Sequence, residues 1–456
     1  MGGTAVASEK TDKRGFWLVA GCACRVSGAA ARAQQRGNRQ PTKVMKVLMI
    51  APQPFFQPRG TPFSVLHRLK ALSKLGYKID LVTYHLGQDV QIDNVNIHRA
   101  KRVVWVKEIA IGPSKTKLLL DLHVYRRAVE LLNRQRYDLI HTHEEAGFFG
   151  IRLSKKFGAL HLYDMHSSLP QQLSNFKYSN AKALVKFFEK LEAATINSAQ
   201  AVITICPELF NYVKARFPQK YNKLIENVAD NAVVFGSPAD GESSKNSDGN
   251  INAAELARRY GLSMNGNGKT TILYTGTFEP YQGLDLLIES SQSVVARYKD
   301  EVRFLVVGGK PEQVAQYKEK AGKLGVGEEF IFTGQRPPEE IPEFMKLADL
   351  LVSPRIAGNN TPLKIYSYLR SGVPIVATAH LTHTQVLNSE VAMLTDCTAP
   401  AFASGMLRVL DDRVYGEKLG RNAQELAARE YSYEAYLQKT KEIYSYLESL
   451  LENKIS

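Results

Sequence analysis

From Met45 onward, short unbroken apolar runs alternate with longer stretches whose apolar residues recur at helical spacing. Lys46-Val47-Leu48-Met49-Ile50-Ala51 is the first such run, the pattern of a strand buried on both faces. A Pro/Gly-rich turn follows it, and a helical stretch over 63–75 is closed by Gly76. Further strands are predicted at 79–84, 138–142, 160–163 and 201–205. The alternation breaks at 236–252, which is polar, small and turn-rich, and reads as a linker or long surface loop. It then resumes, with strands at 270–274, 302–307, 330–332, 349–353 and 374–377 and helices at 284–298, 311–324 and 338–347. A long helical pattern over 433–451 ends the chain. Strands alternating with helices imply βαβ units and parallel sheets. The expected organisation is a leader (1–44), an α/β domain (45–235), an insertion (236–268), a second α/β domain (269–430) and a last helical segment (431–456). Ligands of such folds bind beyond the carboxyl ends of the strands, so the chemistry belongs on the loops that follow them.

The length of 456 residues suits two or three domains, and 44% apolar with 23% charged residues is ordinary globular composition. No apolar run reaches the length of a spanning helix. The four cysteines, Cys22, Cys24, Cys206 and Cys397, form neither a disulfide framework nor a zinc ribbon, which suits a reducing compartment. The formal charge is +14, and eight basic against two acidic side chains in residues 1–44 supply six of those charges. The leader reads as unstructured by composition. It is open to three readings: a lipoprotein-type signal ending at Cys22, an Arg-rich organelle-targeting peptide, or an extension ahead of a true start at Met45. The third is preferred, because the apolar core of the signal is too short. The remaining +8 suits an enzyme of anionic substrates, and no nucleic-acid-binding signature is present.

Two patterns mislead. Gly266-Asn267-Gly268-Lys269-Thr270 resembles the end of a P-loop, but Ser263 stands where a glycine is required and the strand follows instead of preceding. His141, His143 and Glu144, with His161 and His166 nearby, suggest a metal site only if several converge; metal-free chemistry without a cofactor is the expectation.

The most informative segment runs from Ser353-Pro354-Arg355 through Asn359-Asn360-Thr361-Pro362-Leu363-Lys364 to Gly372-Val373-Pro374. It reads as strand, small-residue loop, helix start near Pro362, glycine stop and strand. A loop feeding a helix N-terminus exposes backbone N–H groups and the positive dipole end, a ready anion site to which Arg355 and Lys364 add full charges.

This segment resembles the donor-binding signature of the retaining glycosyltransferases of family 4, which have the GT-B fold of two Rossmann-like domains facing across a cleft. Tyr274-Thr275-Gly276-Thr277-Phe278 with Gln282-Gly283-Leu284, Val307-Gly308-Gly309 and Thr333-Gly334 fit the same family in the second half. Pro58-Arg59-Gly60-Thr61, His141-Thr142-His143-Glu144 and Asp164-Met165-His166 fit it in the first. The resemblance implies transfer of a sugar from a nucleotide-diphosphate sugar to an acceptor hydroxyl with retained configuration, and a last helix that crosses back to the first domain. It implies donor contacts from Gly276, Thr277, Gln282, Gly308, Asn359, Thr361, Pro362 and Ser367, and catalytic roles for His166, Arg355 and Lys364. Gly60, Thr61 and Glu144 would form the acceptor and phosphate loop.

Four positions depart from the family pattern. Asn359 and Ser367 stand where a pair of glutamates is common, and Thr277 and Gln282 where an Arg and a Lys are common. Losing two cations opposite a leaving diphosphate removes transition-state stabilisation, so Arg355 and Lys364 are expected to compensate. A non-catalytic nucleotide-sugar-binding protein and a nucleotide-sugar epimerase are the alternatives.

The basic-aromatic stretch 99–117 and the amphipathic stretch 181–191, with Lys182, Lys186 and Lys190, suit an anionic membrane surface. The expected place is the cytoplasm, with peripheral attachment at the inner membrane face and a sugar or lipid-linked acceptor as its extension, as in envelope polysaccharide or glycolipid synthesis.

Overall fold

The computed structural model describes residues 44–57, 60–109, 114–170, 182–228, 252–262 and 268–455. Two all-parallel sheets organise them. The first has seven strands in the order β3-β2-β1-β4-β5-β6-β7. Its strands are β1 Lys46–Ile50, β2 Lys78–Thr83, β3 Val95–Arg99, β4 Leu139–His143, β5 Leu160–Met165, β6 Ala201–Thr204 and β7 Tyr221–Leu224. The second has six strands in the order β10-β9-β8-β11-β12-β13. These are β8 Thr270–Thr275, β9 Val302–Val307, β10 Phe330–Gly334, β11 Leu350–Ser353, β12 Ile375–Thr378 and β13 Met393–Thr395. In each sheet the order reverses beside its first strand, between β1 and β4 and between β8 and β11. A crevice opens at such a switch point, and the glycine-rich loops singled out in the sequence follow these strands.

The central strands are buried on both faces, with Leu48, Met49, Ile50, Leu305, Val306 and Val352 at 0% exposure. Three edge strands, β3, β7 and β13, carried no continuous apolar run, because edge positions meet solvent and alternate. The single helix expected over 338–347 is instead a 3-10 turn, Pro338–Glu340, leading into a short helix, Ile341–Met345, with Pro342 in its first turn. Part of the stretch read as a linker is ordered: Ala253–Tyr260 is a helix capped by Asn252 at its start and by left-handed Gly261 at its end. Leu256 and Ala257 bury it in the second core, which the polar residues before it did not foretell.

The last helix, Tyr433–Ile455, leaves the second lobe and packs on the first. Tyr436, Ile443, Tyr444 and Leu447 join the core formed by β1, β4, β5 and the helix Gly60–Lys74. The leader, together with Pro58 and Arg59 and most of the 236–268 stretch, lies outside the described residues.

Candidate active site

In the second lobe, Gly276 follows β8, Gly308 follows β9 and Arg355 follows β11, so three predicted positions meet at one sheet end. Their glycines are required by contact. A Cβ on Gly308, whose φ is +131°, would stand 1.8 Å from the Gly276 carbonyl oxygen. One on Gly283 would stand 1.9 Å from the Pro354 carbonyl oxygen, so the β8 loop is pressed against the strand end that carries Arg355.

The helix Leu363–Ser371 begins one residue later than expected, with Pro362 in the N-cap position and extended backbone. Lys364 lies in its first turn and reaches back across the sheet end. Its Nζ donates to the Thr275 carbonyl at 3.0 Å and sits 4.0 Å from the centre of the Tyr274 ring. Burial, and then Arg355, push its pKa well down. Arg355 stacks 5.0 Å above the Tyr281 ring and donates from Nε to the Ala357 carbonyl at 2.8 Å. Burial lowers its pKa too. Among the described residues neither cation has a carboxylate partner, so both are set out for an anion not supplied by the protein.

Thr277 is exposed, and its carbonyl accepts from the Tyr274 hydroxyl at 2.8 Å. Gln282 ends a 3-10 turn, and its Oε1 is buried without a hydrogen-bond partner among the described residues. The Asn359 carbonyl accepts from Gln385 Nε2 at 2.6 Å. Thr361 is buried ahead of Pro362, whereas Ser367 is partly exposed on the same helix. Thr277, Gln282, Asn359 and Thr361 are thus on the loops around the Arg355–Lys364 corner.

In the first lobe, Gly60 opens the helix after β1, and Thr61 Oγ1 donates to Glu144 Oε1 at 3.2 Å. That bond joins the β1 and β4 loops across the switch point. Glu144 itself takes a left-handed φ of 49°, unusual for a residue with a side chain. Burial and then Glu145 push its carboxyl up, while Lys117, bonded to Glu145 at 2.8 Å, opposes the rise. Asp121 completes this acidic cluster, and burial pushes it up to about 7.

His166 follows β5 at 3% exposure and does not stand alone. His141, His143 and Asp164 point to the same sheet face, because alternate residues share a face and β4 registers His143 beside Asp164. Burial pushes the Asp164 carboxyl up, and Arg68 at 3.0 Å, with His166 and His143, overcomes this to hold it well below the usual carboxylate range. Burial likewise lowers the pKa values of His141 and His143. Ligand atoms of His141, His143 and Asp164 lie within 4.8 Å of one another, close enough for a metal. Arg68 holds Asp164 Oδ2 and sets a full positive charge beside the carboxylate, and the site is a poor cation trap for that reason.

Contacts between the lobes carry no local sequence signal. Asn360 Nδ2 donates to the His166 carbonyl at 2.9 Å, bringing the tip of the second-lobe loop onto the first-lobe histidine. The Glu208 amide donates to Gln385 Oε1 at 2.9 Å beside it. His383 is held inside the second lobe by Ser353 at 2.8 Å and by Thr378.

Comparison with known proteins identifies the family and the fold. Residues 264–426 match the family model of the glycosyl transferases group 1, and residues 58–230 match that of Glycosyltransferase Family 4. D-inositol 3-phosphate glycosyltransferase of Corynebacterium glutamicum is 24% identical over 423 residues, covering 88% of this chain and 96% of that protein. Sucrose-phosphate synthase from Thermosynechococcus elongatus superposes with a TM-score of 0.67 at 18% identity, covering 89% of this chain and 100% of that one. HepE of Anabaena, solved in complex with UDP-glucose, gives 0.62 at 16% identity over 88% of this chain and 99% of that one.

Proposed function

Since the chain belongs to glycosyltransferase family 4 and has the GT-B fold, we propose that the sugar it transfers leaves a nucleoside diphosphate and keeps its anomeric configuration. The observation that carries this reading is the pair Arg355 and Lys364, two sheltered cations without carboxylate partners among the described residues, where the Gly276 loop meets the N-terminus of Leu363–Ser371. They stand in for the Arg and Lys that Thr277 and Gln282 have replaced. A pyrophosphate there would receive their charge and the free N–H groups of the helix start. As the glycosidic bond breaks, negative charge grows on the leaving oxygen, and fixed cations in a sheltered site stabilise that growth by several kcal/mol. Asn359 and Ser367 would then hydrogen-bond nucleotide hydroxyls in place of carboxylates. His166, joined to the donor loop through Asn360, would contact the reacting sugar or the acceptor, and Glu144 with Thr61 an acceptor hydroxyl. The reaction needs no cofactor in this scheme.

A thermal-shift panel of nucleoside-diphosphate sugars tests the donor class, beginning with UDP-glucose, the ligand of the HepE structure. A true donor at ~100 times its Kd adds ~2.7 kcal/mol to stability, while the sugars and mononucleotides alone should add little.

The acceptor is proposed to be lipid-linked and met at an anionic membrane surface. No helix among the described residues is long and apolar enough to cross a membrane. Trp105 and Val104 are 74% and 73% exposed in the basic loop ahead of the helix Lys115–Arg134, and Leu118 is 71% exposed at its start. Phe187, at 58%, lies on the helix Lys182–Ser198. Wild type is expected to float with acidic liposomes and the Lys182/Lys186/Lys190→Glu variant to stay in the pellet fraction. Equal flotation of the two would remove this docking surface.

A further inference from the structure

The first-lobe face under the last helix is built mainly of apolar side chains, yet it holds a charge pair and three histidines. The Arg68 and Asp164 side chains are 2% and 1% exposed. Asp164 Oδ2 faces Arg68 Nε at 3.0 Å, His141 Nε2 at 3.4 Å and His143 Nδ1 at 3.7 Å. Its other oxygen, Oδ1, lies 3.2 Å from His166 Nε2, closer than Oδ2 lies to His143 Nδ1. His143 Nδ1 is 3.0 Å from the same His166 nitrogen. The remaining His166 nitrogen, Nδ1, is buried without a hydrogen-bond partner among the described residues.

Only one proton lies between His143 and His166, since two ring nitrogens 3.0 Å apart form a hydrogen bond only when one carries the proton and the other a lone pair. Placed on His166 Nε2, it is donated to His143 Nδ1 and stands beside the anionic Asp164 Oδ1, which is 3.2 Å from that nitrogen without a hydrogen bond to it. Placed on His143 Nδ1, it leaves the Nε2 lone pair of His166 facing a carboxylate oxygen at 3.2 Å in a low-dielectric interior. The first arrangement is favoured by the charge on Asp164, and that charge depends on Arg68.

Arg68 in turn is held by the far end of the chain. Its Nη1 donates to Thr440 Oγ1 at 3.3 Å, and its guanidinium lies 5.1 Å from the centre of the Tyr436 ring. Tyr444 shares a 2.9 Å hydrogen bond with His141 Nδ1. The last helix is therefore joined to His166 through Arg68 and Asp164.

We propose that Arg68 and Asp164, clasped by the last helix, are positioning residues that keep the proton of His166 on Nε2 and leave Nδ1 bare to accept a hydrogen bond from a substrate hydroxyl. The substrate half of this rests on the reading of His166 as a residue of the transfer centre; the tautomer half does not.

The test is a two-bond proton–nitrogen spectrum of the full chain labelled with nitrogen-15 histidine, with His166 assigned by its loss in His166→Gln. Wild type is expected to show Nε2 protonated and Nδ1 bare. Asp164→Asn is expected to mix or reverse the tautomers and to lower kcat ~10- to 100-fold with the donor KM changed little. Should that variant fail to fold, Thr440→Val removes the acceptor from Arg68 at nearly constant volume. It is expected to move the His166 signals the same way, by less, and to lower kcat ~3- to 10-fold. A wild-type proton on Nδ1, or on both nitrogens, overturns the proposal, as does a folded Asp164→Asn or Thr440→Val that changes neither signal nor kcat. Undiminished turnover in His166→Gln overturns the substrate half alone and marks the failure as one of the site reading.

Discussion

Replacing Lys364 with methionine is expected to lower kcat/KM for the donor ~100- to 1000-fold while raising the thermal stability of the free protein by about 1 kcal/mol. Both halves follow from the same placement. Lys364 stands against the Tyr274 ring and the Thr275 carbonyl with no carboxylate to match it among the described residues, and burial disfavours its charge. A methionine fills similar space without that penalty. Only with a diphosphate bound does the ammonium gain a full counter-charge, and its contribution grows as charge develops on the leaving oxygen. Steady-state kinetics and calorimetry on one preparation check the opposed signs. Loss of activity together with loss of stability would point to a structural lysine, and unchanged turnover would remove Lys364 from the chemistry.

Arg68→Met is expected to destabilise the fold by ~3–5 kcal/mol at neutral pH, the cost of stranding a buried carboxylate. Its pH dependence identifies the cause. In wild type the folded-state pKa of Asp164 lies well below the ordinary 3.8, so the pair's contribution is complete above that value and is lost only as pH falls through the depressed one. Without Arg68 burial pushes the same carboxyl up, and acidification neutralises it in the folded variant. The gap between the two proteins should therefore narrow as pH falls from 7 towards 4 in urea titrations. A gap independent of pH would assign the loss to packing of the methionine against Tyr436 and Thr440 instead.

How much of this was legible in the sequence depended on how each feature is encoded. Central parallel strands such as 46–50 and 302–307 are buried on both faces, so they print an apolar run that needs no context. The edge strands Val95–Arg99, Tyr221–Leu224 and Met393–Thr395 do not, because half of each faces outward or is too short to show a period. The corner of Arg355 and Lys364 was readable, since a loop entering a helix places both charges by local rules alone. Local rules also put Pro362 within one residue of its actual cap position.

The partners that hold His166 were hidden for the opposite reason. Arg68, Asp164 and Thr440 come from a helix, a strand and the last helix, and only packing brings them together. Arg68 occupies a helix position that could as well have faced water, and nothing in its neighbours marks it as buried. Asn360 reads as one more turn-former until the lobes meet and its amide finds the His166 carbonyl. The histidines of β4 were noticed as metal candidates, whereas the guanidinium that fills their shared space could not be placed there from spacing.

A structure of the protein with UDP bound tests the donor site most directly. The pyrophosphate is expected within ~3 Å of Lys364 Nζ and of the Arg355 guanidinium, with Lys364 released from the Thr275 carbonyl. A pyrophosphate seated elsewhere, such as the ≈ 450 Å³ pocket lined by Lys46, Lys78 and His98 at the opposite end of the first sheet, with Lys364 still bonded to Thr275, would contradict it.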